Sequence, residues 1–125
     1  MLRSRLVHRL VLIAVAAGLF ACDERVTHHY PTRKEAEADQ LFERGWLPRV
    51  IPASSTGIVT RNNLDHNTST GEFHFDPAER TLFIGHLTRL PSRDGKNHLG
   101  YSFEEWVFLV DRTRGFCRYE FTLDR

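Results

Sequence analysis

Five residues in the middle of this 125-residue chain carry side chains suited to chemistry: Asp65, His66, Glu72, His74 and His86. Imidazoles and carboxylates gathered in one cleft would act as metal ligands or as an acid–base pair, the equipment of a metal-binding protein or a hydrolase. Their spacing follows no zinc-helix motif, and no phosphate loop, nucleophile elbow or Cys-x-x-Cys occurs in the chain. The run Asp65-His66-Asn67-Thr68-Ser69 begins like a calcium loop built on oxygen ligands, but Gly71 stands one place late for the glycine of such a loop. Its commoner role is to fix a turn through side-chain-to-backbone hydrogen bonds. His28-His29 lies in a polar stretch where neighbouring histidines are solvated. Glu104-Glu105 is read as part of an extended strand, which sends adjacent side chains to opposite faces. Cys117 reads as a small buried apolar residue, since nothing adjacent activates its thiol. No catalytic residue, metal ligand or cofactor is therefore assigned. A His/Asp-based metal-binding protein or hydrolase stays as the alternative, and it requires at least three of the five side chains to converge.

A different chemistry belongs to Cys22. Arg3, Arg5 and Arg9 precede an apolar run, Leu10 to Phe20, which a small residue, Ala21, and then Asp23-Glu24-Arg25 abruptly end. This is the layout of a secretory signal peptide, and the run is shorter than the ~20 residues of a membrane span. Leu19-Phe20-Ala21-Cys22 resembles the lipobox of bacterial lipoproteins, in which the cysteine is acylated and becomes the first mature residue. The resemblance implies a signal peptide over residues 1–21 and a domain held on a lipid bilayer through Cys22, facing the periplasm. Asp23 resembles the residue that retains some lipoproteins in the inner rather than the outer membrane. With Cys22 acylated, Cys117 has no partner for an internal disulfide.

The mature chain keeps 14 basic residues against 16 acidic. That balance lacks the basic footprint of a nucleic-acid-binding protein. Its length suits one small domain, and its aromatic content suits a packed core. Residues 22–31 read as a polar tether and 32–125 as a single domain. Thr32-Arg-Lys-Glu35 is a capping box that opens a helix to about Arg44, with Ala38, Leu41 and Phe42 on its apolar stripe and Gly45 as its left-handed end. Pro48 and Pro52 force the following apolar stretch, including Trp46 and Leu47, to run extended. Ile58–Arg61 and Glu72–Phe75 form a hairpin across the Asp65–Asn67 turn. Asp76-Pro77-Ala78-Glu79 opens a second helix to about Arg89, carrying Leu82, Phe83, His86, Leu87 and Leu90. Trp106–Val110 is a central strand, and Phe116–Leu123 pairs with it.

Glu43-Arg-Gly-Trp-Leu-Pro48, Ile51-Pro52-Ala-Ser-Ser55, Asn63-Leu-Asp-His-Asn67 and Gly71-Glu-Phe-His-Phe75 together resemble a family of small bacterial envelope proteins, often lipoproteins, similar to the YbbD head domain. The likeness spans about residues 32–90. It implies a fold and a location and brings no activity with it. The expected architecture is α+β, a small antiparallel four-stranded sheet of two hairpins with two helices packed on one face. The expected function is that of a non-enzymatic binding or structural module serving another envelope protein. Trp46, Leu47, Asp65, Asn67, Phe73 and Phe75 are the residues expected to make partner or fold-defining contacts.

Overall fold

The computed structural model describes residues 25–122. Its centre is one antiparallel sheet of seven strands in the order β1-β2-β3-β7-β6-β5-β4. The strands are β1 (Arg25–Thr32), β2 (Thr56–Asn63), β3 (Thr68–His74), β4 (Thr88–Arg89), β5 (His98–Phe103), β6 (Trp106–Asp111) and β7 (Phe116–Thr122). Two helices of six residues, α1 (Arg33–Ala38) and α2 (Arg80–Gly85), and two short 3-10 turns complete it. The protein is mostly β, which corrects the expected four-stranded sheet with two helices.

Each difference has a local cause. Arg25–Pro31 is not a polar tether but part of an edge strand in which Val26, His28 and Tyr30 point inward and their neighbours outward. Two histidines in the alternation disguise it as a solvated segment. The first helix stops at Ala38 because Ala36 and Leu41 are both completely buried. Five residues apart on an unbroken helix, they would face about 140° away from each other. Instead Gln40 enters the left-handed region (φ 57°). The Gln40 amide bonds to Glu37 O (2.9 Å) and the Leu41 amide to Ala36 O (3.1 Å), the bond pair of a Schellman motif. A second such motif follows at once: Gly45 (φ 76°) donates to Phe42 O and Trp46 to Leu41 O. Gly45 thus ends a helical turn as expected, but not the same helix, and Ala38 is left exposed.

The second expected helix is cut in the same way. Pro77–Glu79 is a 3-10 turn capped by Asp76, whose side chain accepts from the Ala78 amide. α2 then ends at Gly85, a weak helix former, and Thr88-Arg89 joins the sheet beside Tyr101 and Ser102 of β5. Glu104 and Glu105 lie between β5 and β6 as the two-residue connection rather than within a strand, with Glu104 at φ 51°.

Both expected hairpins form. β2 pairs with β3 from Thr56↔His74 to Asn63↔Thr68, and β6 pairs with β7 from Trp106↔Phe121 to Val110↔Cys117. β3 and β7 then join the two halves over seven paired positions, from Thr68↔Thr122 to His74↔Phe116. Phe73, on the inward face of β3, stands against Phe83 (6.0 Å between ring centres) and Phe108 (6.5 Å), and Phe75 against Phe83 (5.7 Å). These edge-on contacts tie α2 to the sheet. Cys117 and Tyr119 lie in the same buried layer, with Arg118 and Glu120 on the exposed face; Leu123 lies outside the described residues. Tyr119 fits because Gly71 opposite it has no side chain: a Cβ at position 71 would lie 2.7 Å from the Tyr119 ring and 2.0 Å from the Val59 carbonyl oxygen.

Two substitutions test this account by urea denaturation. Gln40→Gly relieves the left-handed strain and should raise stability by about 1 kcal/mol. Gly71→Ala should lower it by about 1–3 kcal/mol, because β3, Val59 and Tyr119 must shift together.

Candidate functional site

The sheet's inward face is covered unevenly. The irregular segment after Gly45 crosses it on one side and α2 lies on the other, leaving a groove of about 510 Å³ between them. Its walls are Val50, Ile51 and Pro52 on one side and Leu82 on the other, with Phe83 and Phe103 also lining it. Sites that take small molecules or side chains occupy about 300–1,000 Å³ and are similarly apolar. Leu82 is 66 % exposed, one of two large apolar side chains in that condition among the described residues.

The first wall is held in place by polar ties. Arg33, at the start of α1, donates through Nη1 to Ile51 O and through Nη2 to Arg49 O (3.1 Å), and pairs through Nε with Glu37 (3.1 Å). Its guanidinium also lies over the Phe42 ring, 4.9 Å from the centroid. From the other side, the Ser54 amide donates to Glu79 Oε2 (3.1 Å) and Ser54 Oγ accepts from the Asp76 amide (2.9 Å), which secures the loop to the start of the α2 region. Two prolines keep Pro48–Pro52 from forming a helix or a ladder, so these side-chain bonds replace secondary structure.

The rim is charged at both ends. Arg49 reaches out beside Phe42 and donates to Glu43 Oε1 (2.8 Å), which holds the Glu43 carboxyl below its usual range. Both groups are more than half exposed, so the pair is a weak tie that an incoming anion could replace. On the α2 side the groove is lined by His86 and by Glu79, whose carboxylate accepts from the Ser54 amide. The groove can hold apolar side chains and face a negative group at its arginine end.

The five chemistry-bearing side chains do not meet. Asp65 and His66 sit exposed in the loop between β2 and β3. His74 is at the other end of β3, against the Phe116 ring (4.9 Å). Glu72 is engaged in a two-bond pair with Arg61 (2.7 and 2.8 Å). Among the described residues no three His, Cys, Asp or Glu side chains gather into a metal-holding group. Cys117 is fully buried, which pushes its thiol well above the usual value.

Of the residues expected to make contacts, Leu47, Phe73 and Phe75 are core, and Trp46 is half-buried. Asn67 takes a left-handed turn conformation (φ 48°), while it is Asn63, rather than Asp65, whose side chain accepts from the amides of residues 65 and 66. Leu19, Phe20, Ala21 and Cys22 lie outside the described residues. No helix among the described residues is long and apolar enough to cross a membrane. The groove residues escaped the sequence reading. Leu82 and Phe83 belong to one apolar stripe there, but neighbouring helical residues point about 100° apart, and in α2 Phe83 is buried while Leu82 faces outward.

Residues 24–74 match the family model described as the YbbD head domain. No curated protein and no solved structure matches the chain. The matched stretch takes in β1, α1, β2 and β3, including the edge strand β1. It ends before α2, so the likeness covers less of the chain than the expected 32–90 at one end and more at the other. The groove therefore has one wall inside the matched segment and one outside it.

Arg33→Met keeps the stem over Phe42 and removes every donor to the 49–51 carbonyls. It should cost about 1.5–3 kcal/mol, with amide exchange accelerating first over residues 49–53. Equal protection of that loop in variant and parent would refute the role assigned to Arg33.

Proposed function

We propose that this chain is a bacterial envelope lipoprotein, anchored through Cys22 and facing the periplasm, whose domain is a non-enzymatic binding module. Its groove takes the apolar side chains of an acidic segment from another envelope protein. The observation that carries this reading is the groove itself, an apolar trough flanked by the exposed Leu82, with the guanidinium of Arg49 at one end and Glu79, tied to the Ser54 amide, on the α2 side. An exposed leucine beside a ready-made apolar cleft has a hydrophobic reason to be covered. The arginine end supplies charge complementarity, which selects acidic partners and speeds encounter. The dispersal of the histidines and carboxylates favours this reading over a hydrolase. The anchor rests on the lipobox-like Leu19-Phe20-Ala21-Cys22, and placement in the inner membrane on Asp23.

Cys22→Ser should move the protein from the membrane to the soluble fraction of lysed cells, without loss of fold by circular dichroism. A photo-crosslinking residue at Leu82 should give one discrete adduct in intact cells that disappears with Arg49→Glu, while the same residue at Lys96 gives none. Adducts of equal yield at both positions, or an adduct indifferent to Arg49→Glu, would overturn the assignment of the groove.

A further inference from the structure

We infer that the end of the sheet carrying the β2–β3 loop docks on an anionic bilayer surface. Leu64 enters the lipid interface and a polar concavity beside it receives headgroup phosphates. The inference rests on the reading of Cys22 as the anchor and adds to it an orientation for the whole domain.

Chain geometry comes first. β1 begins at Arg25, three residues after Cys22, and three extended residues span about 10 Å. An acylated Cys22 therefore leaves the start of β1 no freedom to stand away from the bilayer. Arg25 is paired with Asn63, and Asn63 with Thr68, so the intervening loop lies at the same end of the sheet. At that loop Leu64 is 48 % exposed, a large apolar side chain placed where an acylated chain meets its membrane.

The chemistry agrees with the placement. On the outward face of the same corner is a concavity of about 320 Å³, lined by Arg25, Thr27, Arg61, Asn63, Thr68 and Thr70. Hydroxyls, an amide and guanidiniums are donors that suit phosphate oxygens, and no carboxylate is among the lining residues. Arg61 is already balanced by Glu72, whose carboxyl it holds below the usual range, so Arg25 is the cation left to meet the headgroup. Asp65 in the loop opposes it, which keeps the attraction modest and leaves Leu64 an essential part of the contact. An apolar side chain with an adjacent cation is the combination that holds a surface at the interface rather than in water.

The test uses the mature lipidated protein in vesicles containing phosphatidylglycerol and a headgroup-quenching lipid, with an environment-sensitive fluorophore on His66→Cys. Cys117 is fully buried and does not compete for the label. Lys96→Cys, in the loop preceding β5 at the opposite end of the sheet, is the reference position. The expected result is quenching at position 66 and little at 96, lost in phosphatidylcholine vesicles and in Leu64→Ser. Arg25→Gln should lower the docked-to-undocked ratio about fivefold. Equal quenching at the two positions would overturn the inference, as would quenching at 66 that survives Leu64→Ser. Release by inorganic phosphate with no dependence on Leu64 would assign the concavity to a soluble anion and overturn it too. Protein that co-floats with vesicles without quenching defeats only this orientation, whereas protein that does not co-float defeats the anchor itself.

Discussion

The pairing of β3 with β7 is the interaction on which the rest of the structure depends. β1, β2 and β3 form one half of the sheet and β4 to β7 the other, and seven paired positions along β3 and β7 join them. The seam is specified on both faces. Inward, Gly71 leaves space for Tyr119, and Phe73 stands beside Cys117 beneath Phe83 and Phe108. Outward, Glu72 is drawn between Arg61 on β2 and the charge of Arg118 on β7. A slip of one residue would exchange the aromatic layer for the charged one, and that makes the register steep in energy.

The groove is a product of the same seam. One wall is fixed to α1 by Arg33 and the other is α2, seated on Phe73 and Phe108, so the width between them is set by elements from both halves. Neither half contains the site alone. The YbbD head domain likeness, confined to 24–74, therefore speaks for the half carrying Arg33, Arg49 and the 50–52 wall. Leu82 and Phe103 lie outside the matched residues.

The two hairpins were legible in the sequence because their signals are local. Turn residues at 65–67 and 111–115 separate runs with a two-residue period, and Phe73, Phe75, Cys117 and Tyr119 are as buried as that period requires. The helix starts were equally legible, since Thr32 accepts from the Glu35 amide and Asp76 from the Ala78 amide. Helix ends were not. Gln40 has no reason to turn left-handed in isolation; it does so because Ala36 and Leu41 must both reach a core assembled by distant strands. The edge strand β1 was hidden for a related reason, as its polar composition reveals nothing until β2 is beside it. The groove was the least legible feature, because it arises from where α2 stops relative to a loop some thirty residues earlier.

The order in which the strands are laid down has a further consequence. Among the described residues β7 comes last in sequence, yet it occupies an interior place in the sheet, between β3 and β6. A polypeptide emerging from its N-terminus builds β1, β2 and β3 long before β7 exists, and the free edge of β3 with its exposed Phe73 is an invitation to stray strands. Such distant contacts close slowly. Completion of the sheet hence waits on residues 116–122.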